Sequence, residues 1–305
     1  MSPTPPLTAP PVSSDPAAYG PVAASFARLS RRFTAPLAAQ LLTLAELAPR
    51  AQVLDVGTGT GIVAVEAGRR LAPGGRVLGI DVAEGMLTEA RAQAAAAALS
   101  NVEFRRMDAG VLELPDAAFD VALSLFALPH FPDPSRALRE MYRVLRPGGR
   151  LAIGVGAAPP LLSLSGFLRR VRRLCAAVRR RGAGDLDAPG SLEAFLARRL
   201  PALPDAPAVP AAKLSLARLV RAAGFANVTS SWAGSYAAIM TREEFWELQA
   251  TFSTSARTRL AAASPGLVDA LRREYLQSCE DAQGRGGKLS YRCGAWFVCA
   301  RRAAA

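Results

Sequence analysis

The chain has 305 residues, half of them apolar, which is enough for one large domain with insertions, and its 37 basic and 25 acidic side chains give a formal net charge of +12. Lys213 and Lys288 are the only lysines, so the excess is arginine in an alanine-rich chain; a compositional bias accounts for it, and no nucleic acid partner is expected from charge alone. A single histidine, His130, and four cysteines without CxxC spacing (Cys175, Cys279, Cys293 and Cys299) argue against any metal centre, and no targeting signal or run of ~18 apolar residues is visible, so the expectation is a cytoplasmic protein with reduced thiols.

In chain order, residues 1–18 hold six prolines and little that can pack, and read as a disordered tail. Residues 22–47 are apolar-periodic and predict one or two helices. Short buried strands then alternate with amphipathic helices. The strands are expected at 52–56, 76–81, 102–106, 119–126 and 150–156, with helices near 60–71, 84–99 and 134–146, a βαβ pattern that makes a parallel sheet. The helix at 134–146 is the best marked: Asp133 can cap it, Pro134 suits its first turn, Leu138, Met141 and Leu145 share a face, and RPGGR stops it. An insertion over 157–212 follows, then a helix ended by Gly224 and a sixth strand around 227–236. A second insertion over 237–287 carries two helices, one opened by the capping box Thr241 to Glu244 and one by Ser264 with Pro265; a closing strand covers 288–302. The core therefore divides into 19–156, 213–236 and 288–302, with the two insertions as helical lids.

The stretch VLDVGTGTG runs a strand into three glycines, Gly57, Gly59 and Gly61. Such a turn at the carboxyl end of a first strand brings a ligand against the unpaired N–H groups of the next helix. A dinucleotide fingerprint would need its third glycine where this chain has Ile62, so nicotinamide cofactors are disfavoured. Asp81 ends the second strand 20 residues beyond Gly61, where a carboxylate can accept both hydroxyls of a ribose; the plainer reading is a helix cap. Asp108 follows the third strand in RMDAGVLELP, and the fourth ends in the apolar loop FALPHFPDP.

With these four elements on one sheet edge, the sequence from about 51 to 155 resembles the class I S-adenosylmethionine-dependent methyltransferases, and among them the ubiquinone/menaquinone biosynthesis group. The resemblance also rests on LREMYRVLRPGGRL after the fourth strand. It implies an α/β fold: a Rossmann-like, doubly wound, mostly parallel seven-stranded sheet with an antiparallel last strand, plus helical lid insertions. It further implies that Gly57, Gly59 and Gly61 pack against S-adenosylmethionine, that Asp55 reaches its amino group and that Asp81 binds its ribose. Val82 and Met86 would flank the adenine, Asp108 and Ala109 would read its edge, and Leu125 and Phe126 would border the methionine part. For Val82, Met86 and Phe126 the competing reading is core packing.

Methyl transfer needs alignment and management of the acceptor's proton, so His130, in the loop after the fourth strand, is the candidate general base; it can equally serve to orient the loop. The insertions and the N-terminal helix are expected to roof the cleft, their aromatics Tyr19, Phe26, Phe33, Phe167, Phe195, Trp232, Tyr236, Trp246 and Phe252 supplying either an apolar pocket or lid core. A small apolar or aromatic acceptor, quinone-like or a secondary metabolite, methylated at oxygen or carbon, fits that roof. The segment 167–181, with seven arginines on an amphipathic pattern, reads as a solvated lid face, a peripheral membrane contact or an RNA-binding face. The alternatives to the small-molecule reading are an RNA or protein methyltransferase and a non-catalytic protein with a cofactor fold.

Overall fold

The computed structural model describes residues 16–156, 186–188, 191–200, 215–239 and 241–304. Residues 1–15 of the expected tail, the arginine-rich segment 167–181, Phe167 and Cys175 lie outside the described residues, and Pro16–Val22 already form a 3-10 turn. The chain groups into two compact units, one drawn from 1–157, 207–233 and 294–305, the other from 158–206 and 234–293.

In the first unit, α1 (Ala23–Phe33) and α2 (Ala35–Ala45) are separate helices broken at Thr34. The ring of Pro36 in the first turn of α2 has no N–H to give and would clash with the carbonyl four residues back in a continuous helix. The sheet is built from β1 (Gln52–Val56), β2 (Arg76–Asp81), β3 (Val102–Arg106), β4 (Phe119–Leu125) and β5 (Leu145–Gly156), all parallel in the order β3-β2-β1-β4-β5. β8 (Leu289–Arg301) adds antiparallel to β5, with Arg150 opposite Arg301 and Gly156 opposite Ala295, and β7 (Ala226–Ala238) pairs with β8. This is the expected mixed sheet of parallel strands with an antiparallel last strand.

Helices α3 (Ile62–Arg70), α4 (Glu84–Ala96), α5 (Pro134–Val144) and α7 (Leu216–Ala222) fill the crossovers. α5 starts as expected, with Asp133 accepting from the Arg136 N–H at 3.0 Å. It stops at Val144 because Leu145 has already entered β5, paired with Phe119. Its apolar stripe, Ala137, Leu138, Met141 and Val144, is fully buried against Leu54, Ile80, Ala122 and Ile153. Hydrophobic burial on this scale, about 25 cal/mol per Å² of apolar surface, is what holds the crossover helix to the sheet.

The second unit contains α6 (Ser191–Ala197), α8 (Arg242–Phe252), α9 (Thr254–Ala261), α10 (Pro265–Gly284) and β6 (Leu186–Ala188), which pairs in parallel with Leu289–Tyr291. The second insertion thus has three helices rather than two: Ser253 ends α8 and caps α9, accepting from the Ala256 N–H at 3.0 Å. Thr241 caps α8 by accepting from Glu244 N–H at 3.0 Å, whereas Ser264 makes no side-chain cap at the start of α10. The core of this unit closes around Tyr275, with Phe195, Phe245 and Trp246 at ring distances of 5.1, 6.3 and 5.7 Å. The Tyr275 hydroxyl meets Ser191 Oγ at 2.7 Å and Gln249 Nε2 at 2.8 Å, which satisfies a phenol buried well away from water. Phe195 and Trp246 are therefore packing residues of that unit, and the Phe252 ring lies tilted against Tyr291 with ring centres 6.0 Å apart. Among the described residues no helix is long and apolar enough to cross a membrane.

Candidate functional site

β1 is buried from Val53 to Val56, and at its carboxyl end the chain turns through Gly57, Gly59 and Gly61, all in the left-handed region with φ of 72°, 55° and 84°. The three do two different jobs. A Cβ on Gly57 would sit 2.2 Å from Ala127 Cβ, and one on Gly61 would meet Ala90 and Phe104 at 3.0 and 3.1 Å, so both allow close packing of neighbouring elements. At Gly59 a Cβ would meet nothing within 4 Å. That residue opens onto space at the N-terminus of α3, where unpaired backbone donors gather.

The acidic groups around this opening are buried or tied to it. Asp55, opposite Gly79 of β2 and Leu123 of β4, is 1% exposed. Its Oδ2 accepts from Thr58 Oγ at 2.6 Å, while Oδ1 finds no hydrogen-bond partner among the described residues. Burial, reinforced by the charge of Asp81, raises the Asp55 carboxyl to about 7, against the lowering effect of the Thr58 hydroxyl and the Ala64 N–H. Thr60 Oγ in the glycine turn and Ser124 Oγ at the next-to-last position of β4 are also buried without partners among the described residues. Three orphaned polar atoms near the carboxyl ends of β1 and β4 carry a desolvation cost that a ligand with hydrogen-bond donors would relieve.

Asp81 at the end of β2 accepts the Gly59 N–H at 2.9 Å on one carboxylate oxygen and the Ala83 N–H at 3.0 Å on the other. It therefore fastens the glycine turn to the start of α4, and each oxygen keeps capacity for a further donor. It is not the side-chain cap of α4, which has none. Burial raises its carboxyl above the usual range, and the Ala83, Gly59 and Val82 N–H groups pull it back.

The other expected residues lie along the same edge with different exposures. Val82 is exposed, and Met86 is buried with Ala23 and Ala83 under Tyr19 and Phe26. Asp108 is exposed and accepts the Gly110 N–H at 2.7 Å, while Ala109 is buried. Leu125 and Phe126 direct their side chains at the glycines of β5: a Cβ on Gly154 would meet Leu125 Cδ1 at 2.6 Å and one on Gly156 would meet Phe126 Cδ1 at 3.9 Å. Phe126 holds a φ of 62°, unusual for a bulky residue, and its N–H donates to Gly154 O at 2.7 Å.

His130 closes the 3-10 turn Leu128–His130, and its Nδ1 is 3.2 Å from Tyr19 Oη. A chain of contacts links the glycine turn to the N-terminal segment. Gly57 touches the 127–131 loop, and His130 in that loop meets Tyr19. Gly20 lies 3.0 Å from a Cβ placed on Gly85, and Asp81 returns from Ala83 to Gly59. The N-terminal segment is thus held both to the 127–131 loop and to the start of α4. Sequence reasoning placed Tyr19 among roof aromatics without its partner, and it missed Thr60, Ser124 and Gln93, whose amide holds the Thr60 carbonyl at 2.6 Å. The alternating threonines of TGTG were the available signal for the first of these.

A doubly wound sheet whose first strand ends in an open glycine turn flanked by the buried Asp55 and the half-buried Asp81 is the architecture of a nucleotide-type cofactor domain. Residues 54–153, a third of the chain, match the family described as a methyltransferase domain. The chain is 38% identical over 130 residues to nocamycin O-methyltransferase of Saccharothrix syringae, covering 43% of this chain and 46% of that protein. It is 44% identical over 126 residues to demethylmenaquinone methyltransferase of Thermus thermophilus, covering 41% and 56%. The chain spans about half the length of these curated relatives. In fold it is similar to the YcgJ protein of Bacillus subtilis, with a TM-score of 0.51 at 20% identity over 88% of this chain and 98% of that one.

The residues present fit S-adenosylmethionine. An ammonium group beside Asp55 would give Oδ1 its missing partner and favour the ionised carboxylate, hydroxyls can use the spare capacity of Asp81, and the space over Gly59 admits a ligand where a side chain would fill it.

Proposed function

We propose that this chain is an S-adenosylmethionine-dependent methyltransferase that methylates oxygen or carbon of a small apolar or aromatic acceptor, quinone-like or a secondary metabolite. The observation that carries the reading is the buried Asp55 with its orphaned oxygen beside the open Gly59, inside the stretch that matches the methyltransferase domain. The two curated relatives, whose names specify an O-methyltransferase and a demethylmenaquinone methyltransferase, support the acceptor class.

The bound cofactor supplies a methyl group on a sulfonium, open to in-line displacement. Asp55 would hold the cofactor's amino group and Asp81 its ribose hydroxyls. Val82 and Met86 would flank the adenine, and Asp108 and Ala109 would recognise its edge. Leu125 and Phe126 would border the methionine part through backbone carbonyls, since their side chains turn toward β5. His130 takes the acceptor's proton, and the protein's contribution is otherwise to align the acceptor and exclude water.

The test is to incubate the protein with S-adenosylmethionine and a panel of naphthoquinols, phenols and enols, and to follow the gain of one methyl group by mass spectrometry. Methylated product from a member of that panel is expected. Methyl transfer to RNA or protein with none to the panel would overturn the acceptor class.

A further inference from the structure

We propose that Tyr19 is a positioning residue for His130, its phenol oxygen accepting the Nδ1–H and so leaving Nε2 as the basic nitrogen of the ring. The inference rests on the proposed methyl transfer and deepens it by assigning the second half of the proton acceptor.

The two residues are 111 positions apart, yet each is held from its own side. His130 sits in a 3-10 turn whose first residue, Leu128, is fully buried, and its backbone N–H donates to Ala127 O at 2.8 Å. Tyr19 packs edge-on to Phe26 with ring centres 6.5 Å apart and an angle of 77°, and against the cluster of Ala23, Ala83 and Met86. Its ring also meets the imidazole edge-on, at 6.2 Å and 79°, while Oη lies 3.2 Å from Nδ1. Loop and N-terminal segment therefore converge on one ring nitrogen.

A neutral imidazole carries one proton. It can act as a base at Nε2 only if that proton is on Nδ1, and once Nε2 is protonated both nitrogens are donors. Nδ1–H then needs an acceptor, and the Tyr19 oxygen is in place for it. With the cofactor bound, the acceptor's O–H bond would break with its proton going to Nε2, the oxygen's electron pair would form the bond to the methyl group, and the methyl–sulfur bond would break with its pair staying on sulfur. The positive charge lost by the sulfonium is carried by the imidazolium, whose Nδ1–H is held by Tyr19. This is the arrangement of a base oriented by a third group.

His130 is the only histidine in the chain, so in an untagged, 15N-labelled sample its two ring nitrogens give the only histidine signals in a long-range 1H–15N correlation spectrum. At a pH where the ring is neutral, the wild-type protein is expected to show a protonated Nδ1 and an unprotonated Nε2. Tyr19→Phe keeps the ring contacts and removes only the oxygen; it should move the balance at least about threefold toward Nε2–H. A wild-type spectrum with the proton on Nε2, or the same tautomer balance in both proteins, overturns the inference, and the wild-type spectrum decides even if the variant does not fold. No reading requires cofactor or acceptor. An Nδ1–H tautomer in a protein that binds no S-adenosylmethionine would sink the proposed function and keep the pair, whereas cofactor binding with an Nε2–H tautomer would do the reverse.

Discussion

Replacing Asp55 by asparagine should change how stability depends on pH. Burial, with the charge of Asp81 added, raises the Asp55 carboxyl from 3.8 to about 7 in the ligand-free protein. A group whose folded value lies above its unfolded value stabilises the protein while protonated; the contribution is complete below the unfolded value and is lost as pH rises through the folded one. Between pH 5 and pH 8 that loss amounts to roughly 3 kcal/mol. The asparagine side chain cannot ionise. Its amide nitrogen brings its own unsatisfied donors, at a cost of about 1–3 kcal/mol, but that cost does not vary with pH. The stability of Asp55→Asn minus that of wild type should therefore become more favourable by about 3 kcal/mol from pH 5 to pH 8, read from urea unfolding at several pH values in this range. A difference that stays flat, or that moves the other way, would refute the claim that Asp55 is held buried against its charge.

The remaining substitutions separate binding from packing. Asp81→Ala removes the acceptor of the Gly59 and Ala83 N–H groups and should weaken S-adenosylmethionine binding by roughly 1.5–3 kcal/mol in calorimetry; unchanged affinity would remove Asp81 from the site. Gly57→Ala and Gly59→Ala share a positive φ, costing about 1–2 kcal/mol each, but only the first also collides with Ala127. Thermal unfolding should show Gly57→Ala markedly the less stable, whereas Gly59→Ala should lose cofactor affinity while remaining folded; equal stabilities would contradict the open space assigned to Gly59. His130→Gln should lower turnover of an oxygen acceptor by about 10²–10⁴ with little effect on cofactor affinity, and a pH–rate profile identical to wild type would reject it as the base.

Much of the sheet was legible because its signals are local. Strands β1 and β2 are buried runs that end at Gly57 and Asp81, and the start of α5 is marked by Asp133 and Pro134. What was not legible depends on contacts between distant segments. β6 is three residues long and exists through its ladder with Leu289–Tyr291, and the break at Ser253 is a cap inside an otherwise continuous helical pattern. The same division holds at the site. Gly57, Gly59 and Gly61 announce a turn, but nothing in their spacing says that Gly59 alone opens to space, and no local pattern pairs Tyr19 with His130. Val82 and Met86, both expected beside the ligand, differ in a way no local pattern shows: Met86 is buried beneath the N-terminal segment and Val82 is exposed.

Calorimetric titration of the untagged protein with S-adenosylmethionine, with its demethylated product and with NAD tests the central claim most directly. The account predicts saturable 1:1 binding of both sulfur compounds in the micromolar range, weakened in Asp81→Ala and Gly59→Ala, and negligible binding of NAD. Tighter binding of NAD than of either sulfur compound, or no binding of S-adenosylmethionine to a folded protein, would contradict it.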